Sequence, residues 1–271
     1  MLRTRVKTAL VLLPVTLAVV FLAPPTVFKL VIGLLMVLGS REYARISSLP
    51  TNAAYLLIGL QALVIVMVLL NWNAAAAVAT GLLAAGCVLW LALFFRLTLY
   101  EEGATPDRTF RALGFVTSLI ALTFCFFALS WLQEQANGPF VVALLMLLIA
   151  AADTGAYFSG KQFGRHRLSP LISPNKTWEG VYGGAALALL AGWLWATLTP
   201  LQIELPALLV ISVITTLVSI GGDLYISMHK RTVKLDDSGS LFPGHGGVLD
   251  RYDSLLAGAP FFALAYGLLV T

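Results

Sequence analysis

Nine stretches of this chain are apolar enough, or nearly so, to cross a bilayer: 8–23, 27–39, 53–70, 74–95, 112–132, 139–152, 180–198, 205–222 and 254–270. A helix that crosses hydrocarbon must satisfy its own backbone and needs about 20 mostly apolar residues. Only 11% of the residues are charged, against roughly 25% in a soluble domain. That excludes a soluble globular enzyme, a disordered chain and a disulfide scaffold. The expected fold class is all-α: a polytopic integral membrane protein of about nine transmembrane helices forming a single domain over residues 1–271. Its N-terminal helical part covers about 1–138, and the part carrying the chemistry covers about 139–271. Spans 27–39 and 139–152 are short; the first borrows its flanks, and the second runs on through Ala156-Tyr157-Phe158. Arg3, Arg5 and Lys7 ahead of the first span resemble the start of a signal peptide. No clean small-residue cleavage site follows, so an uncleaved helix and no extended tail are expected. Cys87 and Cys125 lie in apolar runs without a nearby His or Cys and read as buried small hydrophobes.

Nine crossings put the two termini on opposite sides. Every Lys and Arg except Lys29 then falls on the N-terminal side, which the positive-inside rule makes cytoplasmic. Lys29, near the outer end of its span, can snorkel. The net charge of +4 therefore reflects topology, and nucleic acid is not an expected partner. The acids other than Glu134 and Glu204, and all of the histidines, gather on the same side. Acids do not obey that rule, so they mark either a solvated surface or a polar site at the cytoplasmic face.

Two polar segments decide between those readings. In the first, Asp153 is followed by Lys161, Arg165, Arg167 and Ser173-Pro174-Asn175-Lys176-Thr177. Gly155-xxxx-Gly160-Lys161 is a near miss of a P-loop, with Gln162 in place of Ser or Thr and a membrane helix in place of a strand. Its cations read either as a positive-inside loop or as a phosphate-binding surface. The second segment runs from Gly221-Gly222-Asp223 through Lys230-Arg231 and Asp236-Asp237 to Pro243-Gly244-His245-Gly246-Gly247 and Asp250-Arg251-Tyr252-Asp253. Asp223 closes an apolar helix, where a carboxylate is costly and marks a functional site. Asp250 and Asp253 share a helix face, as ligands or as ordinary N-capping groups. The glycine-rich run is either an anion-binding turn or a plain one. Carboxylates, cations and such a turn together at the lipid–water boundary are the set needed for a metal–polyphosphate complex. From the residues alone, this is a membrane transferase acting on a lipid and a phosphorylated cofactor.

The string Ser227-x-x-Lys230-Arg231-x5-Asp237-Ser238-Gly239-x3-Pro243-Gly244-His245-Gly246-Gly247-x-x-Asp250-Arg251-x-Asp253 closely resembles the signature of the phosphatidate cytidylyltransferases (CDP-diacylglycerol synthases). Asp153-xx-Ala156-Tyr157 and Ser173-Pro174-Asn175-Lys176-Thr177-xx-Gly180 match that family's upstream stretch. Three positions depart from its pattern: Asp236 where a Lys usually stands, His229 for an apolar residue, and Tyr252 for a smaller one. Lys234 is the candidate replacement cation.

The resemblance implies a Mg2+-dependent reaction, with one or two metal ions, of CTP with phosphatidate to give CDP-diacylglycerol and pyrophosphate. It places the protein in a bacterial inner membrane, as monomer or homodimer. Asp223 and Asp250 are then the leading metal ligands, supported by Asp253 and Asp237. Lys230, Arg231, Lys176 and Arg251 neutralise phosphate charge. His245, Gly246 and Gly247 contact phosphate, while Asn175, Thr177 and Asp153 serve nucleotide or metal. A lipid nucleotidyltransferase or kinase with another acceptor is the nearest rival. A transporter is the more distant one, since its sites lie at the bilayer midplane.

Overall fold

The computed structural model describes the backbone of residues 2–271 and the side chains of residue 8 and of 10–271. Its helices are α1 (Leu2–Leu22), α2 (Pro25–Ile46), α3 (Thr51–Leu70), α4 (Trp72–Ala77), α5 (Ala79–Thr98), α6 (Arg108–Gln133), α7 (Gly138–Phe163), α8 (Trp178–Leu198), α9 (Leu205–Thr232) and α10 (Leu249–Leu269). A small antiparallel hairpin, β1 (Arg167–Ser169) with β2 (Ser173–Thr177), links α7 to α8. Among the described residues seven helices, α3 and α5 to α10, are long and apolar enough to cross a membrane. The chain is an all-helical integral membrane protein. The predicted stretches all coincide with helix, but α2 carries Lys29, Arg41, Glu42 and Arg45 and so exceeds the charge a simple span tolerates.

Several boundaries differ from the sequence expectation, for local reasons. The stretch 74–95 is interrupted at Val78, which separates α4 from α5. α7 runs past the expected Phe158 as far as Phe163, and α9 runs past Asp223 through the segment read as a loop. Ser227 supports that continuation, its Oγ donating to Asp223 Oδ1 one turn back at 3.1 Å. Lys29 does not snorkel: it is buried, pairs with Glu134 and lies 3.9 Å over the Trp72 ring. Trp72 Nε1 donates to the same carboxylate at 2.6 Å. A cation, an indole and an acid thus lock α2, α4 and the end of α6 together.

The core lies where α2, α6, α9 and α10 meet, around the buried Tyr43, Phe126, Tyr225 and Phe262. α10 and α6 bury most of their surface and α3 little of it, so the former are the central helices and the latter faces lipid. His229, one of the three departures from the signature, is wholly buried there against Tyr43, Tyr225 and Phe110. It fills the space as an aromatic ring would, its Nδ1 held 3.1 Å from Tyr225 O.

The α7–α8 pair brings one half of the site into place. Without side chains, Gly155 and Gly184 let the two backbones touch: a Cβ on Gly184 would lie 2.7 Å from Ala152 O, and one on Gly155 would lie 2.6 Å from Gly183 O. Gly155 is thus a packing glycine inside a helix, not part of a phosphate loop. Replacing Gly184 by Ala must push the helices apart and should cost about 1–3 kcal/mol, the usual penalty of overpacking. Gly81→Ala, where a Cβ meets nothing within 4 Å, should be neutral; thermal unfolding of the two variants in the same detergent checks the difference.

Candidate active site

Three carboxylates from three helices approach one another: Asp153 on α7, Asp223 on α9 and Asp253 near the start of α10. The charge of Asp223 acts on both Asp153 and Asp253. Gly222 makes the approach of α9 to α10 possible, since a Cβ there would lie 2.6 Å from Asp253 O. Cations surround the group. Lys176 Nζ is 2.6 Å from Asp223 Oδ2; Lys176 and Arg251 both act on Asp153, and Lys230 acts on Asp253. Asp223 and Asp253 are half-buried, and Asp153 is exposed. The carboxylates are therefore not sealed in the core.

The hairpin aims Lys176. Glu179, in the first turn of α8, accepts from the backbone of Arg165 (3.1 Å) and His166 (3.3 Å), and its other oxygen lies 2.7 Å from His166 Nδ1. Thr177 is the N-cap of α8, accepting from Gly180 N at 3.1 Å. Thr177 is thereby occupied as a cap, and Asn175, exposed, makes no hydrogen bond among the described residues.

Asp250 is held by several donors of the protein. Its Oδ2 accepts from Ser238 N (2.8 Å), Ser238 Oγ (2.9 Å) and Gly247 N (2.9 Å), while its Oδ1 takes Lys230 Nζ at 2.8 Å. These donors tie Asp250 to the 238–247 segment. The close partner of Asp223 on α10 is accordingly Asp253, one turn further along. Lys230 joins the two groups, bonded to Asp250 and acting on Asp253.

The residue that sequence reasoning missed is Glu42. It comes from α2, in the N-terminal part of the chain. One oxygen accepts from Val248 N at 2.9 Å; the other accepts from Leu249 N and Ser238 Oγ, each at 2.9 Å. Glu42 thus does the capping of α10 that Asp250 and Asp253 were candidates for, where an acid is favoured by the unpaired N–H groups. Side-chain atoms of Glu42 stand where a Cβ on Gly239 or Gly247 would be. Two glycines of the signature are small because this carboxylate needs the room. Only the acid in Arg41-Glu42-Tyr43, at the end of an otherwise apolar helix, could have pointed to it.

The glycine-rich run is a tight turn. Phe242 N donates to Gly246 O (2.9 Å), His245 N to Phe242 O (2.8 Å) and Gly247 N to Asp250, with Gly244 and Gly246 at φ of 77° and 81°. The backbone N–H groups of His245 and Gly247 are therefore spent internally. The His245 ring, by contrast, leaves Nδ1 buried with no partner among the described residues. Arg251 is anchored by its Nε to His245 O at 3.1 Å. Asp237 is exposed, and Asp236 is paired outward with Arg231 at 3.6 Å. That pair accounts for the charge reversal without Lys234, whose backbone turns at φ 57°.

His245 and Arg251 also line a cavity of about 460 Å³ whose other walls are mostly apolar, from α1 (Leu12, Val19), α2 (Phe28, Ile32), α6, α7 and α10. α1 is tied to the glycine-rich turn by Thr8 Oγ1, which donates to Pro243 O at 2.8 Å. The site consequently draws on both parts of the chain. Because Glu42 satisfies two backbone donors and a hydroxyl at once, Glu42→Ala should destabilise the protein by about 1.5–3 kcal/mol, the worth of hydrogen bonds to a charged group. Thermal unfolding checks it, and Glu42→Gln, which keeps acceptor capacity, should lose less.

The sequence matches the Cytidylyltransferase family over residues 3–269. It is 38% identical to a phosphatidate cytidylyltransferase of Pseudomonas aeruginosa over 97% of this chain and 96% of that one. A phosphatidate cytidylyltransferase of Haemophilus influenzae is 32% identical, covering 98% and 99% of the two chains. One of Brucella suis is 35% identical, covering 97% and 92%. With a match that takes in both the carboxylate cluster and the α2 segment bearing Glu42, this chain belongs to the cytidylyltransferase family.

Proposed function

We propose that this protein joins CTP to phosphatidate, releasing pyrophosphate and leaving CDP-diacylglycerol in the membrane. The observation that carries the reading is the place of Arg251. It lines the largely apolar cavity and at the same time acts on Asp153 of the carboxylate cluster. A molecule with acyl chains in that cavity puts its phosphate beside Arg251 and the unpartnered His245 Nδ1, next to the carboxylates. The names and the extent of the related chains support the same substrates.

The chemistry needs little covalent help. The second pKa of a phosphate monoester is near 6, so phosphatidate is largely dianionic at neutral pH and requires no general base. An oxygen of the lipid phosphate attacks the α-phosphorus of CTP, and the bond from that phosphorus to the β-phosphate oxygen breaks. The difficulty is the meeting of two polyanions. Lys176 and Lys230 offset triphosphate charge, and Arg251 orients the lipid phosphate, in a partly buried site where such charges act more strongly than in water.

The donor chemistry fits Mg2+. Asp223, Asp253 and Asp153 are hard oxygen groups, and Asp153 and Asp253 are free of ion pairs among the described residues. No group of three or more acids, His or Cys there has the spacing of a complete protein cage, but Mg2+ usually takes one or two carboxylates plus substrate phosphates. Asp223 and Asp253 would hold it, and when bound it would supply charge neutralisation to the triphosphate and to departing pyrophosphate. In this reading Asp250 positions Lys230 and the turn. Nine crossings, with the site at the cytoplasmic face of a bacterial inner membrane, complete the proposal. Every group named comes from one chain, so a second copy is not required.

Purified protein should convert labelled CTP, and not labelled ATP, in the presence of phosphatidate but not diacylglycerol; withholding Mg2+ should stop turnover and restoring it should recover it. Asp223→Asn, at normal protein levels, should lower kcat by about 10²–10³, the range for losing one charge-stabilising group. Activity with another nucleotide or acceptor, or near-wild-type turnover of the variant, would refute the assignment.

A further inference from the structure

A second cavity, of about 390 Å³, lies between the end of α2 and the 238–241 segment. It shares no lining residue with the apolar cavity, and none of Asp153, Asp223, Asp250 or Asp253 lines it. Arg41 and Arg45, one helical turn apart, form one wall; Ser238, Gly239 and Ser240 form the other. Neither arginine pairs with a carboxylate among the described residues. Arg45 reaches only Ser238 O, at 3.4 Å, and Arg41 has no hydrogen-bond partner there. The one acid in the lining, Glu42, has both oxygens engaged by α10 and Ser238. The cavity therefore presents two guanidinium groups with donors to spare, beside serine hydroxyls and a glycine. Guanidinium forks match the oxygens of phosphate groups.

The surroundings say where such a phosphate would come from. α2 is apolar from Leu30 to Gly39, and Arg41 and Arg45 follow directly. Leu38 and the half-exposed Leu241 complete the lining. The arginines thus stand at the level where hydrocarbon gives way to water, the depth of a phospholipid headgroup.

We propose that this cavity is an accessory phosphate-ester site, distinct from the reaction site, which takes the headgroup of an anionic phospholipid. The bound phosphate contacts the 238–241 segment, the same stretch whose Ser238 is shared between Glu42 and Asp250. The proposal does not depend on the reaction assigned above.

The test uses the full chain. In one arm, nanodiscs of phosphatidylcholine receive increasing phosphatidylglycerol, and the anionic lipid retained by the protein is counted by mass spectrometry. In the other, inorganic phosphate is titrated into protein in a neutral detergent and followed by thermal unfolding. Wild-type protein should retain phosphatidylglycerol saturably. R41Q/R45Q should weaken retention by roughly fivefold for each arginine, from the usual worth of a basic residue at an anionic surface. R41Q alone disturbs no hydrogen bond of the fold and keeps the test valid if the double variant is unstable. R108Q/R111Q removes equal charge from the start of α6 and should change nothing. Stabilisation by phosphate that R41Q abolishes shows that the free anion is recognised as well; retention of lipid alone assigns the site to headgroups. Equal losses in the two arginine pairs, or no binding by wild type in either arm, would overturn the proposal.

Discussion

A single carboxylate carried from α2 into the start of α10 holds the candidate site together. Glu42 meets two backbone N–H groups that a helix start leaves unpaired, and through Ser238 it shares a hydroxyl with Asp250. Removing its charge from water is costly unless such donors compensate. Here they do, and the compensation fixes the 238–247 segment between α2 and α10. Lys230, bonded to Asp250, inherits its place from that arrangement.

Two groups of acids result, with different work. Glu42 and Asp250 are met by backbone, hydroxyl and lysine donors of the protein. Asp153, Asp223 and Asp253 repel one another, moderated by Lys176, Lys230 and Arg251. Repelling carboxylates kept beside cations are poor stabilising elements, since a protein gains more by pairing or replacing them. Their arrangement makes sense as a receptor for cations and phosphates, with the apolar cavity alongside for acyl chains.

Much of this was legible in the sequence, and the exceptions have physical causes. Apolar length placed every helix, because bilayer thickness and backbone hydrogen bonding leave few options. It missed the break at Val78, where nothing polar marks the interruption, and it ended α9 too early, because hydropathy stops at Asp223 although helix geometry continues to Thr232. The β1–β2 hairpin was invisible because its strands are short and polar. Among site residues, Asp223, Asp253, Asp153, Lys176, Lys230 and Arg251 do gather. Asp237 and Asn175 are exposed, and Thr177 is an N-cap. Glu42 escaped notice because its partners lie about 200 positions away, a separation no local pattern encodes. That Asp250 meets donors from Ser238, Gly247 and Lys230 was hidden too, because an acid beside a glycine-rich turn has the same sequence whatever it bonds to.

The division of labour between the acids can be read directly from a bound paramagnetic ion. Mn2+ dialysed with CTP against the purified protein should give, on the protein side, an excess electron paramagnetic resonance signal from the retained ion. The account predicts that this signal survives in Asp250→Asn and is lost in Asp253→Asn. Loss in the Asp250 variant with full retention in the Asp253 variant would contradict it and return Asp250 to the metal.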